Sequence, residues 1–260
     1  MLLFLFFRFT LTSDLFKSLK IISIEEVKMR LLAFILNFMV ASVMLLPVLA
    51  VADCEIDPKT AALHYEITQK ELNSDQLESK SFTLWRYQNR VAIQYQHSHT
   101  TELWEQTKRG DLRLVRYFND YHRGIEYQPN EIHFEGADSD WSSKYQLVSN
   151  SLLKRMTGVS SEEKKCSSLK TLYLEENTQS IWLTWLADLN ILQSMRIKDK
   201  KNQIDWKLTH KFTEKDQVED FFANLDSFDT VDYADVGDNE TDPFLLKMIN
   251  LGFIEHSHSH

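Results

Sequence analysis

Apolar and polar side chains alternate along several segments of this chain, and this period of two constrains the fold more than any other feature of the sequence. The alternation is clearest at Val91, Ile93 and Tyr95, and it recurs on both sides of a turn at Gly110-Asp111. A period of two puts the apolar side chains of a β-strand on one face. The segment 81–128 is therefore predicted to form a meander of four or five antiparallel strands.

Further strands are predicted in the second half of the chain, at 171–175 and 180–186. A long hairpin follows, with strands 192–198 and 203–212 joined by a turn at 199–202. Across this hairpin, apolar side chains are expected to meet on one face of the sheet. Met195 and Ile197 would face Ile204, Trp206 and Leu208.

Four segments have the spacing or the capping residues of helices. They are Thr60–Leu72, Ser142–Met156 with Gly158 as its stop, a helix capped by Thr213 and Asp216 that ends near Asn224, and a short helix from Asp242-Pro243 to Gly252. Strands and helices together indicate an α+β fold, with one antiparallel sheet of seven or more strands and helices packed on one face. A sheet this long is expected to curl into a half-barrel.

Residues 29–52 have the three parts of a secretory signal peptide. A basic start is followed by the apolar run 31–46, which is shorter than the roughly 20 residues of a membrane-spanning helix, and by small residues at Ala50 and Ala52. Cleavage after Ala52 and export to the periplasm are predicted, with an uncleaved membrane anchor as the alternative. Residues 53–260 would then form a single domain with its own core.

Residues 1–28 precede this signal, which is unusual for an exported chain. Glu25-Glu26-Val27-Lys28 can be encoded by a purine-rich sequence of the kind that binds ribosomes, directly before Met29. We therefore expect translation to start at Met29, with residues 1–28 as a misassigned extension. A genuine leader is the alternative.

The chain has two cysteines, Cys54 and Cys166, and both lie in the predicted mature domain. Exported chains meet an oxidising compartment, where an even number of cysteines without a CxxC motif favours a structural disulfide. Two free thiols are one alternative. Lipidation of Cys54 is another, although Asp53 stands where a small residue is expected.

Acidic residues are concentrated in one part of the chain. The full sequence has a net charge of −9, whereas the segment 214–242 holds eleven acidic residues against Lys215. Five aspartates recur there every three residues, at Asp226, Asp229, Asp232, Asp235 and Asp238. On a helix they would form an acidic ridge, either as the polar side of an amphipathic helix or as a docking strip for a divalent cation or a basic partner. Nucleic acid is not an expected partner, because binding it needs clustered Lys and Arg.

Histidine pairs and triplets are candidate metal ligands. His97 and His99 alternate beside a predicted strand, so their side chains could share a metal, with a solvated loop as the alternative. His256, His258 and His260 alternate at the end of the chain. This tail is either a chelator for copper, nickel or zinc, or inert.

Five tryptophans lie in predicted strands. Trp182 and Trp185 have opposite parity, so one is expected to face the helices and the other to face outward or into the curl. Their rings would either fill the core or line a cavity for an apolar ligand. The five are Trp85, Trp104, Trp182, Trp185 and Trp206.

The order of elements resembles the periplasmic lipoprotein-carrier superfamily of LolA, LolB and RseB. The segments that carry the resemblance are FTLWRYQNRVAIQYQ, LWEQTKRGDLRLVRY and SMRIKDKKNQIDWKLTHKF, within residues 60–212. The resemblance implies a curled half-barrel that is closed by helices over an apolar cavity. It assigns no individual site residue.

No nucleophile elbow, glycine-rich phosphate loop or HExxH helix occurs in the sequence. We therefore expect a non-catalytic, monomeric periplasmic protein that binds or carries an apolar ligand or a lipidated partner, with peripheral membrane contact. No cofactor is expected other than a metal at the histidine tail. The alternatives are a metal-handling protein that uses this tail and an assembly factor that docks through the acidic strip.

Overall fold

The computed structural model describes residues 56–74, 76–132, 140–212, 214–238 and 241–251, all within the compact unit Cys54–His260. These residues form twelve strands and four α-helices. The strands are β1 Thr60–Glu71, β2 Leu77–Tyr87, β3 Arg90–Tyr95, β4 Thr100–Gln106, β5 Leu112–Phe118, β6 Arg123–Tyr127, β7 Thr157–Glu163, β8 Ser168–Glu176, β9 Gln179–Leu186, β10 Ile191–Lys198, β11 Asn202–Phe212 and β12 Asp229–Asp232. The helices are α1 Trp141–Gln146, α2 Asn150–Arg155, α3 Lys215–Asp226 and α4 Pro243–Asn250.

All twelve strands belong to one open, curled sheet with the order β12-β6-β5-β4-β3-β2-β1-β11-β10-β9-β8-β7. Each neighbouring pair is antiparallel except β12 and β6, which are parallel. The sheet consists of two meanders, β1 to β6 and β7 to β11, that join where β1 pairs with β11. The α+β class and the curled antiparallel sheet are therefore confirmed, as is the five-stranded meander over 81–128.

The prediction of a helix at Thr60–Leu72 is wrong, because this segment is strand β1 at the centre of the sheet. Ala61, Leu63 and Tyr65 are fully buried on one face, and Ala62 is fully buried on the other. A strand that is covered on both faces loses the alternation that marks a half-buried strand. Its continuous apolar run then matches helical spacing equally well.

The two faces of the sheet carry different helices. The front face is defined by Leu63, Leu84, Val91 and Trp104, whose side chains pack with residues of α1, α2 and α4. The back face is defined by Ala62, Ala92, Leu103 and Val115, which pack against Val218, Phe222 and Leu225 of α3. Residues paired directly across antiparallel strands share a face, so register assigns each side chain to one face. Three helices thus lie on one face, as predicted for all of them, whereas α3 lies on the other face.

The segment Ser142–Met156 forms two short helices where one was predicted. Leu147 adopts the left-handed conformation (φ 65°) and ends α1, and the Ser149 side chain accepts from the Leu152 amide to begin α2. Gly158 lies in β7 and is not a helix stop. For α4, the predicted start is confirmed, since the Asp242 side chain accepts from the Phe244 amide. No helix among the described residues is long and apolar enough to cross a membrane.

Candidate functional site

Strands β1 and β8 to β11 carry a set of apolar side chains on the front face that are only partly buried, and we call this surface the apolar floor. Its side chains are partly exposed although all are apolar. The floor consists of Ile67, Leu172, Leu174, Ile181, Ile197, Ile204 and Trp206. Such a surface, bounded by the buried core on one side, is typical of a site that receives another apolar group.

Strand register explains why these residues form one surface. Ile204 pairs with Ile197, Ile197 with Ile181, and Ile181 with Leu174, so four branched side chains form a row across β11, β10, β9 and β8. In the next row, Ile67 pairs with Trp206. The expected meeting of Met195 and Ile197 with Trp206 and Ile204 is confirmed by this register. The Trp206 ring lies edge-on to Phe82, with the ring centroids 5.5 Å apart.

A groove of about 900 Å³ lies on the back face of the same strands, and we call it the polar groove. Its lining side chains are mainly polar and include Thr68, Trp182, Thr184, Ser194, Arg196 and Asp205. Leu183, Met195 and Trp206 also border it, but their side chains pack on the front face, so they offer only their main chain. Of the five strand tryptophans that the sequence suggested as the lining of a cavity, Trp182 alone places its side chain in this groove, so the apolar cavity stays a prediction.

Hydrogen bonds within the polar groove hold its side chains in place. The Arg196 Nε donates to Asp205 at 2.6 Å, and the Gln203 amide donates to the other oxygen of Asp205 at 2.6 Å. The hydroxyls of Thr184 and Ser194 are 2.6 Å apart. These bonds fix the orientation of the carboxylate and the guanidinium before any ligand arrives.

The five strand tryptophans do not converge on one site. Trp85 is on the back face and stacks on Phe221 of α3 with the ring centroids 4.0 Å apart. Trp104 and Trp185 are buried in the front-face core. Trp182 is 42% exposed in the polar groove, and Trp206 lies on the apolar floor. Opposite parity therefore separates Trp185 from Trp182 as expected. Trp182 is the most exposed of the five, and Trp85 and Trp206 are partly exposed.

His97, His99 and His122 are exposed in turns and His210 is exposed on β11, whereas His64 is partly buried in β1, where its Nδ1 lies 3.0 Å from the Thr83 hydroxyl. His97 and His99 are in the turn between β3 and β4, where the strand alternation that would align them does not hold. His99 has φ 52° and its Nδ1 lies 2.9 Å from Asp120. His256, His258 and His260 lie outside the described residues, so metal binding by the tail stays a prediction. Within the described ranges, no group of three or more His, Cys, Asp or Glu side chains is placed to hold a metal ion.

The prediction that the five repeated aspartates form an acidic ridge on one helix is wrong. Asp226 ends α3, Asp229 and Asp232 belong to β12, and Asp235 lies in the 3-10 helix Tyr233–Asp238. Several of the carboxylates of this segment are held by partners inside the domain. Asp226 accepts hydrogen bonds from Nη1 and Nη2 of Arg90, at 2.9 and 2.5 Å, and Asp242 accepts one from Arg123 at 2.6 Å.

Cys166 lies in the loop between β7 and β8 and is not a free thiol in the structure. Cys54 lies outside the described residues. The Cys54–Cys166 bridge therefore stays a prediction.

Arg196 and Asp205 were not predicted from the sequence to belong to a site. Their pairing across β10 and β11 could have been inferred from the hairpin register, because the two face each other directly. The position of Trp182 beside Arg196 could not have been inferred from the sequence. That position depends on a shift in strand register between Leu192 and Ser194, and no glycine, proline or other turn residue in the sequence indicates this shift.

Comparison with known proteins gives matches in structure only, because no family model and no curated protein sequence matches the chain. PNGF-II is 8% identical with a TM-score of 0.35, over 67% of this chain and 31% of PNGF-II. A LolA superfamily protein from Nitrosomonas europaea is 8% identical with a TM-score of 0.30, over 64% and 91%. MucB is 11% identical with a TM-score of 0.31, over 63% and 58%.

The chain thus spans about a third of PNGF-II. The superfamily that the order of elements resembles is among the matched structures. Because the TM-scores and identities are low, function is inferred below from the contacts of this chain.

Proposed function

We propose that this chain is an exported, non-catalytic binding protein that holds an apolar ligand, or the lipid chain of a lipidated partner, on the apolar floor. The observation that supports this is the row of Ile204, Ile197, Ile181 and Leu174, which is apolar yet only partly buried. Apolar surface that stays in contact with water favours the binding of an apolar group that covers it.

The chemistry of the floor favours a flexible hydrocarbon over a polar ligand. Its members are branched aliphatic side chains and one tryptophan, which bring no charge to the surface. Covering apolar surface contributes roughly 25 cal/mol per Å², so a chain of several methylene groups gains several kcal/mol before its ordering costs. In the polar groove a hydrocarbon would also cover charged and hydroxyl side chains, which would lose their hydrogen bonds to water.

A charge placed on the floor tests this proposal. Ile181→Lys puts an ammonium group in the middle of the apolar row, and we expect it to weaken binding of a fluorescent polyene fatty acid about tenfold or more. Ser180→Lys is the matched control, because it adds the same charge at the adjacent residue on the opposite face. Equal loss of binding in both variants, or no binding by the unsubstituted protein, would contradict the proposal.

Export is the second part of the proposal and has its own test. N-terminal sequencing of protein recovered from the periplasmic fraction is expected to begin at Asp53-Cys54. An intact Met29 start in the membrane fraction would contradict cleavage after Ala52 and favour the membrane anchor. If no apolar probe binds the exported protein, the metal-handling and assembly roles become the leading hypotheses.

A further inference from the structure

The polar groove presents three neighbouring rows of side chains that cross β1, β11, β10 and β9 on the back face. Register defines the central row as Thr68, Asp205, Arg196, Trp182 and, on β8, Tyr173. On one side of it lie Glu66, Lys207, Ser194 and Thr184, and on the other lie Lys70, Gln203, Lys198 and Ser180. An aromatic side chain therefore stands beside an ordered set of hydroxyl, amide and charged groups.

Trp182 offers the ring of this site as an open platform. It is 42% exposed although the Tyr173 ring packs against it with the centroids 4.3 Å apart, so the exposed remainder of the indole is the surface that a ligand can cover. The exposure of a large aromatic ring to water is unfavourable unless a ligand covers it. A pyranose ring suits such a platform, because its C–H groups form an apolar face that stacks on an aromatic ring while its hydroxyls point outward.

The groups next to Trp182 can bind those hydroxyls. Arg196 is one strand away and Asp205 two strands away, so both lie within about 10 Å of the platform. The Arg196–Asp205 pair is open to solvent, with side-chain exposures of 56% and 30%, and its internal hydrogen bonds hold both groups in fixed orientation. Charged groups form stronger hydrogen bonds than neutral ones, and fixed orientation lowers the entropy cost of binding.

The charge of the groove selects the kind of saccharide. Lys198 and Lys207 are exposed and lie on either side of the central row, whereas Arg196 and Asp205 neutralise each other. Across the three rows, four basic side chains (Lys70, Arg196, Lys198 and Lys207) stand against three acidic ones (Glu66, Asp205 and Glu175), so the groove is locally more basic than the chain, whose net charge is −9. A local reversal of charge attracts and orients an anionic ligand.

We propose that the polar groove binds an acidic oligosaccharide, with one sugar stacked on Trp182, hydroxyls bonded to Arg196 and Asp205, and carboxylates paired with Lys198 and Lys207. This site lies on the face opposite the apolar floor and does not depend on the function proposed for the floor.

A panel of immobilised oligosaccharides tests the site, with uronic or sialic acids in one half and neutral sugars in the other. The intact mature protein is expected to bind the acidic half, and Trp182→Ala to lose about tenfold or more in affinity. Lys198→Gln combined with Lys207→Gln should lower affinity and flatten its dependence on salt. Ile181→Lys serves as the control, because it disrupts the apolar floor and is expected to leave saccharide binding unchanged.

Three outcomes would overturn the proposal. They are binding to no saccharide, binding that Trp182→Ala does not weaken, and tighter binding to a single-stranded oligonucleotide included as a further probe. The last outcome matters because stacked bases also use aromatic platforms beside lysines. Circular dichroism of each variant separates loss of the site from loss of the fold.

Discussion

Trp182 and Trp206 lie two strands apart in the same sheet and on opposite faces of it. Trp182 is 42% exposed beside Tyr173, whereas Trp206 packs edge-on against Phe82 next to the aliphatic row. One sheet therefore presents a polar surface and an apolar surface at nearly the same position. A ligand on either surface has a different tryptophan as its nearest fluorescent reporter.

Arg86 is expected to stabilise the junction between the two meanders. It is fully buried, donates to the Asn190 carbonyl at 2.7 Å and lies 4.2 Å from the centroid of the Tyr145 ring. Arg86→Met removes the guanidinium and leaves buried carbonyl groups without their donor, so we predict a loss of about 3 kcal/mol in the free energy of unfolding. Urea denaturation measures this loss.

The control for Arg86 is Arg155→Met. Arg155 pairs with Glu176, but both side chains are about half exposed, at 51% and 47%. Exposed pairs contribute little, so the loss should stay below about 0.5 kcal/mol. Similar losses in the two variants would show that Arg86 does not hold the junction.

Asp242 is predicted to make stability depend on pH. Its hydrogen bond from Arg123 lowers its pKa, and so does the bond from the Phe244 amide. A carboxyl group whose pKa falls on folding stabilises the protein above its unfolded pKa of about 3.9, and this contribution is lost as the pH falls through the folded pKa.

Asp242→Asn tests this dependence, because asparagine still caps a helix but carries no charge. We expect it to cost about 1 kcal/mol near neutral pH, and the difference from the unsubstituted protein to shrink as the pH falls below about 4. Glu162→Gln, at an exposed pair with Lys164, should show little cost at either pH. A cost for Asp242→Asn that grows on acidification would refute the assignment.

The predicted bridge between Cys54 and Cys166 closes a loop of more than 100 residues, for which the chain-entropy model gives about 4.7 kcal/mol. Non-reducing mass analysis of the mature protein should show two hydrogens fewer than the reduced form. Cys166→Ser and reduction of the unsubstituted protein should lower stability by similar amounts. Two reactive thiols in freshly purified protein would exclude the bridge.

The histidine tail is predicted to account for any tight nickel or copper binding. Removal of residues 256–260 should abolish that binding in calorimetry, whereas His97→Ala should leave it unchanged because His97 lies in a turn remote from the tail in sequence. If His97→Ala costs as much affinity as the truncation, the site lies at the β3–β4 turn.

The strands were predictable from sequence where polar side chains alternate with apolar ones, as Gln94 does between Ile93 and Tyr95 of β3, even though Ala92 is buried on the back face. The spacing of Val91 and Ile93 predicted which side chains of the meander share a face. The spacing of Met195 and Ile197 predicted the apolar face of the hairpin. Strand β1 was not predictable, because Ala62 is buried on the back face while Leu63 is buried on the front. The alternation of apolar and polar residues indicates a strand when one of its faces is buried. When both faces are buried, the alternation disappears and the segment can be taken for a helix.

The surfaces were less predictable than the strands. The sequence shows that Trp182 and Trp185 point in opposite directions, but which residues surround each depends on pairing between strands distant in sequence. The aspartate repeat shows the same limit. Its period of three suggested one helix, yet the segment ends α3 at Asp226 and pairs with β6 as β12, because tertiary pairing overrides a weak local period.

Quenching of Trp206 by a brominated fatty acid tests the apolar floor most directly, since bromine quenches only nearby indole rings. The experiment compares the unsubstituted protein with Trp206→Phe and Trp182→Phe, after circular dichroism has shown that both variants fold. Binding on the floor predicts saturable quenching that is largely lost in Trp206→Phe and retained in Trp182→Phe. Absence of quenching in the unsubstituted protein, or its loss in Trp182→Phe alone, would contradict it.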